Sequence, residues 1–173
     1  MSSEGYEYMV RVFAAGGESV ERPSGLWRHR GDEYEYLSMV DWTWHPRGDV
    51  RLPHEDLRVT ISVEQAQTLL DDRQRFATYW VLHRSPAKGD RHEDTLVYRR
   101  LRSPERLLEQ CFGLENTWVP TTDVRAFEAG GPHDVLDLEP IDAATAERLI
   151  RETRGISGAT DLTTEPTLKG VSR

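Results

Sequence analysis

The feature that most constrains this sequence is an order of predicted elements that occurs twice. A strand, a loop, a second strand, a Trp-x-Pro segment, a third strand and a capped helix follow one another in residues 6–75 and again in residues 76–156. Self-similarity of this kind indicates a repeated module. The alternative is that a small chain of strands and helices repeats this order by chance.

Equivalent positions in the two halves carry similar residues. The offset between them grows along the chain from 71 to 80 residues, which places the insertions in loops, where chains tolerate them. A module of about 75 residues buries only a marginal core, so two copies are expected to form one small protein. The clearest pairs are Tyr8 with Tyr79, Trp44 with Trp118, Ile61 with Ile141, and Ser62 with Asp142.

Helix signals close each half. Ser62 and Gln65 have the spacing of a capping box, and the apolar residues that follow lie on one helical face. Asp142 is the predicted cap of the last helix, and Gly155 is its predicted end. The apolar positions of the first helix are Val63, Ala66, Leu69 and Leu70.

Other signals break the symmetry between the halves. Ser103 followed by Pro104 is typical of a helix start, and Gly113 of a helix end, so a helix is predicted over residues 104–112. Strands are predicted over residues 124–127 and 135–138. The predicted fold is α+β with two similar tandem halves, short and mainly antiparallel strands, and a capped helix ending each half. Residues 157–173 are predicted to be a flexible tail.

Charge and cysteine content limit the function. The net charge of −8 disfavours nucleic acid as a partner and favours a basic protein. Cys111 is the only cysteine, which excludes a disulfide within the chain and indicates a structural thiol in a reducing compartment. No signal-peptide pattern and no apolar run of about 20 residues is present, so a cytoplasmic protein without a membrane span is expected.

Aromatic residues form one group of candidate binding residues. Trp42 and Trp44 lie two positions apart and would share a face of a strand. Together with Tyr34 they offer a stacking platform for a sugar, a base or a proline-rich peptide. The alternative is that large aromatic rings fill a small core, which is the favoured interpretation for Trp44 and Trp118.

Arginines form the second group of candidates. Arg99, Arg100 and Arg102 make up the one basic cluster, which would hold an anion or an acidic group. The alternative is a solvated cluster at the end of a strand. No histidines have the spacing of metal ligands, and His92, followed by two acidic residues, is expected in a solvated loop. No metal and no cofactor is predicted.

Two functions are compatible with these patterns. The first is a non-catalytic interaction module of the inhibitor, immunity or adaptor type, which binds a protein partner through exposed aromatic residues and an acidic surface. The second is a small-molecule-binding protein or enzyme with a pocket between the halves. The candidate binding residues are Tyr34, Trp42, Trp44, Arg99, Arg100 and Trp118.

Overall fold

A computed structural model describes residues 5–82, 95–130 and 137–162 of the chain. It confirms the α+β class, with two five-stranded antiparallel sheets and few helices. Among the described residues, no helix is both long enough and apolar enough to cross a membrane.

The described chain divides into two compact units. Unit 1 holds residues 5–76, 102–107 and 162. Unit 2 holds the remaining described residues: 77–82, 95–101, 108–130 and 137–161.

The first sheet is a meander of four strands with a fifth strand added beside the first. Its spatial order is β4-β3-β2-β1-β5. The hairpin between β2 and β3 turns at Gly31, whose φ of 59° is the left-handed value that a two-residue hairpin turn requires. The strands are β1 (Glu7–Arg11), β2 (Gly25–Arg30), β3 (Glu33–Leu37), β4 (Trp44–Pro46) and β5 (Arg58–Ile61).

Helix α1 (Val63–Asp71) covers one face of the first sheet. The predicted capping box is confirmed, because Ser62 accepts a hydrogen bond from the Gln65 backbone and the Gln65 side chain accepts one from the Ser62 backbone. Ala66 and Leu69 are buried against the sheet, whereas Val63, at the first turn, is exposed. The first of the four predicted apolar positions of α1 is therefore not part of its buried face.

The opposite face of this sheet carries a separate apolar cluster. Met9, Trp27 and Tyr36 are buried there, and Val50 and Leu52 from the loop before β5 pack on them. Trp27 is 1% exposed. The first sheet is thus covered on both faces, by α1 on one side and by a loop on the other.

The second sheet has the equivalent strand order, β10-β6-β7-β8-β9. Four consecutive strands again form a meander, and the fifth pairs with the first of them. The strands are β6 (Ala77–Leu82), β7 (Val97–Ser103), β8 (Arg106–Phe112), β9 (Trp118–Pro120) and β10 (Leu138–Ile141).

Two predictions about the second half are wrong. Residues 104–112 form a turn and strand β8 rather than a helix, because Ser and Pro signal turns as well as helix starts and β8 pairs with β9. Residues 124–127 lie in helix α2 (Asp123–Glu128), in which Val124 and Phe127 are three positions apart and pack on one apolar cluster. Of the strand predicted over 135–138, residues 135 and 136 lie outside the described residues.

Helix α3 (Ala143–Arg154) has both predicted ends. Asp142 accepts a hydrogen bond of 2.7 Å from the Thr145 backbone, and Gly155 adopts a φ of 68° at the C-terminal end. Ala146 and Ile150 are its buried residues. Both helix caps predicted from the sequence are therefore confirmed.

The carboxylate of Glu147 on α3 holds the chain that follows the helix. It accepts hydrogen bonds from the backbones of Gly158 and Thr160 and from the Thr160 hydroxyl, the last two at 3.0 Å. Thr160 is buried. The first part of the predicted tail is thus attached to α3, while residues 163–173 lie outside the described residues.

Protonation of Glu147 is expected to weaken this attachment. Burial acts to raise its pKa, but the hydrogen bonds from Thr160 and Gly158 outweigh that effect and lower the pKa below the usual 4.5. A carboxyl with a lowered folded-state pKa contributes stability above its unfolded pKa and loses it as the pH falls through the folded pKa. Glu147→Gln should therefore cost about 1 kcal/mol at pH 7, and in urea unfolding the difference from the unchanged protein should shrink as the pH falls below the usual glutamate pKa of 4.5 and through the lowered folded-state pKa.

Candidate functional site

Unit 1 contains a cleft of about 930 Å³. Its floor includes Trp27, so it lies on the face of the first sheet opposite α1. Its walls come from β1, β2, residues 51–58 and residues 102–107. All of these segments belong to unit 1.

Arginine is the dominant polar residue of the cleft. Five arginines line it, against two glutamates, Glu55 and Glu105. The cleft is therefore positively charged in a protein whose net charge is −8. A concave surface whose charge is opposite to that of its protein attracts ligands of the protein's own sign, here anions. The five are Arg11, Arg51, Arg58, Arg102 and Arg106.

Glu18 holds two of these arginines in place. Its side chain is 7% exposed and forms ion pairs with Arg11, at 3.4 Å, and with Arg102. Its second carboxylate oxygen accepts hydrogen bonds from the Ser24 hydroxyl at 2.8 Å and from the Phe13 backbone at 2.6 Å. Arg11 and Arg102 are thus fixed and partly neutralised within the wall of the cleft.

The other three arginines are less constrained. Arg58 donates through Nε to the carbonyl oxygen of Pro53 at 2.6 Å. Within the described part of the chain, Arg51 and Arg106 form no hydrogen bond or ion pair. Arg51 is exposed and Arg106 half-buried. These two guanidinium groups are the ones available to a ligand.

Two buried polar atoms beside them also lack partners. The Ser103 hydroxyl and one carboxylate oxygen of Glu105 are buried and have no hydrogen-bond partner among the residues that the structure describes. The other Glu105 oxygen accepts a hydrogen bond from Ser38. Because buried polar atoms in folded proteins are nearly always paired, these two atoms are notable in the lining of the cleft.

The aromatic candidates of unit 1 are half-buried rather than exposed. Trp44 packs against Tyr8, with the ring centroids 6.1 Å apart, and the Arg28 guanidinium lies 4.4 Å from its ring centroid. Tyr34 stacks on His29 at 4.8 Å. These contacts are side-chain packing within the sheet, as expected of rings that fill a small core.

Trp42 does not share a strand with Trp44. It precedes β4 and has a φ of 59°, a left-handed value that is uncommon outside glycine. Its ring meets Phe76 edge-on at 5.4 Å, and its Nε1 donates to the Leu70 carbonyl at 3.3 Å. The predicted stacking face of two tryptophans on one strand is therefore wrong, although both rings pack on the same core.

Arg99 and Arg100 are both buried in unit 2, each 4% exposed. Arg100 lies between two carboxylates, with Nε 2.8 Å from Glu109 and both Nη atoms within 2.8 Å of Glu128. Burial acts to lower the pKa of Arg100, but the hydrogen bonds to Glu128 and Glu109 raise it. Arg125 completes the network at 3.1 Å from Glu109. Arg100 is therefore a structural arginine.

Arg99 has a different environment. Its Nε donates to the side-chain oxygen of Gln110 at 2.8 Å, and its guanidinium lies 4.1 Å from the ring centroid of Trp118. Trp118 in turn donates from Nε1 to the Ala159 carbonyl at 2.7 Å. Arg99 and Trp118, both predicted binding residues, are thus in contact in unit 2.

Cys111 and the histidines were considered as a possible nucleophile and as possible metal ligands. Cys111 is half-buried on β8 rather than on a helix, and burial raises the pKa of its thiol, which keeps it protonated at neutral pH. His92 lies outside the described residues. Within the described ranges, no three His, Cys, Asp or Glu side chains are placed to hold a metal ion.

Sequence reasoning missed four of the five arginines of the cleft and named only Arg102, as part of the basic cluster. Arg11, Arg51 and Arg106 are each separated by forty or more positions in the sequence, and none lies in a basic run. They meet because Arg11 ends the strand that pairs with Gly25, and because residues 102–107 belong to unit 1. No local spacing carries this signal.

The function of the chain is inferred from its own side chains. Comparison with protein-family models, with curated proteins and with solved structures found no match.

Proposed function

We propose that this chain is a non-catalytic binding protein that receives an acidic segment of a protein partner in the cleft of unit 1. The observation that carries this proposal is the pair of guanidinium groups, Arg51 and Arg106, that have no partner among the described residues. A guanidinium presents paired donors that match the two oxygens of a carboxylate. The unpaired Ser103 hydroxyl offers a further hydrogen bond to the same ligand.

Apolar side chains at the cleft favour a protein segment as the ligand. Phe13 and Leu107 line the cleft and are 44% and 43% exposed. Arginine and aromatic residues together are typical of the anchoring positions in protein interfaces. The acidic segment is therefore expected to carry an apolar side chain as well.

The lining of the cleft supports binding rather than catalysis. A serine nucleophile needs a base within hydrogen-bond distance, and in the described part of the chain the Ser103 hydroxyl has no hydrogen-bond partner. His54 also lines the cleft, but its side chain is 72% exposed and lies 3.2 Å from Asp56. The partner predicted from net charge was basic, whereas the local charge of the cleft favours an acidic one.

A second candidate function is the binding of a small anionic molecule at the same arginines. The cleft volume of about 930 Å³ is within the range of small-molecule sites. This candidate shares Arg51 and Arg106 with the first, so the two are distinguished by the ligand and not by the residues.

We also infer that the two halves are copies of one module. Each sheet contains a cross-strand row of five residues at equivalent positions. The arginine of each row lies over a tryptophan outside the row, Trp44 at 4.4 Å in unit 1 and Trp118 at 4.1 Å in unit 2. The same tryptophans meet Tyr8 at 6.1 Å and Tyr79 at 6.4 Å. The rows are Ile61, Tyr8, Arg28, Glu35 and Pro46 in unit 1 and Ile141, Tyr79, Arg99, Gln110 and Pro120 in unit 2.

Charge reversal in the cleft tests the proposed function. A fluorescent ten-residue peptide of Asp, Glu, Leu and Phe should bind the unchanged protein, and Arg51→Glu with Arg106→Glu should weaken binding about tenfold or more, because two attractive pairs become repulsive. Fluorescence polarisation at fixed ionic strength measures the affinity. Arg30→Glu with Arg47→Glu changes the net charge equally on exposed residues outside the cleft and should leave binding nearly unchanged.

Two further ligands decide between the candidates. A peptide with lysine at every acidic position should not bind, and its binding would instead support the basic partner predicted from net charge. Citrate, followed by calorimetry, represents the small anion. Citrate binding that depends on Arg51 and Arg106, without peptide binding, would replace the first candidate by the second. Equal peptide affinity in the cleft and control variants would refute the proposal.

A further inference from the structure

We propose a second anion site, in unit 2, at which Arg99 binds a small carboxylate. This site goes beyond the proposed function, because it involves another unit and other residues. The side chain of Arg99 is almost completely buried, at 4% exposure. Its one hydrogen-bond partner among the described residues is the neutral side chain of Gln110.

The equivalent arginine of unit 1 has its own carboxylate. Arg28 lies on β2 where Arg99 lies on β7, and its Nε is 2.5 Å from a carboxylate oxygen of Glu35. Gln110 occupies the position of Glu35 on the neighbouring strand. Each arginine therefore lies over a tryptophan and donates through Nε to the facing residue of the next strand, but the negative charge of that residue in unit 1 is absent in unit 2. Arg28 also lies 4.3 Å from the ring centroid of Tyr6.

The absence of a carboxylate beside the arginine is more unfavourable in unit 2 than it would be in unit 1. Arg28 and Glu35 are 20% and 25% exposed, so water still solvates that pair. Arg99 has lost nearly all contact with water, and a buried charge without a counter-charge is unfavourable. Burial lowers the pKa of Arg99 to about 10, which still leaves it protonated at neutral pH. An anion would supply the counter-charge.

The surroundings of Arg99 define the class of ligand. Trp118 covers one side of the guanidinium, whose carbon lies 4.1 Å from the ring centroid, and the Gln110 side-chain oxygen accepts the hydrogen bond from Nε. The remaining donors are the Nη groups, which suit the two oxygens of one carboxylate. The ligand is therefore a small monocarboxylate of about the size of the missing glutamate head group.

Acetate is the probe for this site. Titration of the full chain with sodium acetate, at an ionic strength held constant with sodium chloride, should give a saturable change in tryptophan fluorescence, because the anion binds beside Trp118. The expected dissociation constant is in the millimolar range. Thermal unfolding in acetate should shift upward relative to chloride, since a ligand that binds the folded state stabilises it.

Gln110→Glu is the decisive variant. It places a carboxylate where unit 1 has Glu35, so it should raise the melting temperature without acetate and weaken the acetate response at least tenfold. Glu35→Gln makes the reciprocal change in unit 1 and should retain the acetate response of Trp118. Arg99→Met, checked for folding by circular dichroism, should also abolish the response. No saturable response in the unchanged protein, or an equal one in Gln110→Glu, would overturn the site.

Discussion

Replacing Glu109 by alanine is expected to destabilise the protein by about 3–5 kcal/mol, the usual cost of breaking a buried ion pair from one side. The Glu109 side chain is 1% exposed and contacts Arg100 at 2.6 Å. Its loss leaves the buried Arg100 guanidinium with Glu128 as its remaining carboxylate partner. The Glu128 side chain is 48% exposed, so solvent weakens that ion pair. Urea unfolding followed by circular dichroism measures the change in the free energy of unfolding.

Two controls separate the buried charge from the network around it. Arg125 also contacts Glu109, but it is 57% exposed, so Arg125→Ala should cost less than about 1 kcal/mol. The double variant Arg100→Met with Glu109→Met removes both charges from the interior and should recover most of the loss in Glu109→Ala. A loss below 1 kcal/mol in Glu109→Ala would show that the buried pair does not hold unit 2 together.

Local signals predicted much of the fold. The helix ends at Ser62, Asp142 and Gly155 were predictable because each depends on residues within a few positions of one another. Local signals gave a wrong helix prediction at Ser103 and Pro104, because the residues that favour a helix start also favour a turn. There the pairing of β8 with β9 decides the structure, and a local pattern does not contain that pairing.

Candidate site residues were harder to predict because the fold separates sequence neighbours. Arg99 and Arg100 were predicted as one cluster, but adjacent residues of a strand point to opposite faces. One therefore meets Trp118 and the other Glu109. The cleft shows the converse, since Arg51 and Arg106 line one cavity from distant parts of the sequence. Only the tertiary structure brings such groups together.

The wrong helix prediction had also weakened the case for two similar halves. A helix over 104–112 would have had no counterpart in the first half, where residues 33–37 form β3. With β8 in its place, the two sheets share one strand order. Glu35 and Gln110 then occupy equivalent positions, and this comparison identifies Arg99 as the arginine without a carboxylate.

Trp27→Ala is expected to cost about 3–5 kcal/mol, because it empties the volume of the largest fully buried side chain among the described residues of unit 1. Trp27 packs edge-on against Tyr36 with the ring centroids 5.7 Å apart. The neighbouring Leu26 points to the α1 face and is 0% exposed, so β2 contributes to the core on both sides. Urea unfolding measures the loss, and Trp27→Phe, which keeps an aromatic ring, should lose about half as much or less.

The same two variants test whether the floor of the cleft shapes its ligand site. Trp27 lines the same cleft as the arginines. If the ring positions the bound segment, Trp27→Phe should weaken binding of the acidic peptide by several-fold, even though Arg51 and Arg106 are still present. If the ring only supports the sheet, Trp27→Phe should bind the peptide normally and show the stability loss alone. Unchanged stability in Trp27→Ala would contradict the burial of this residue and, with it, the position of the cleft floor.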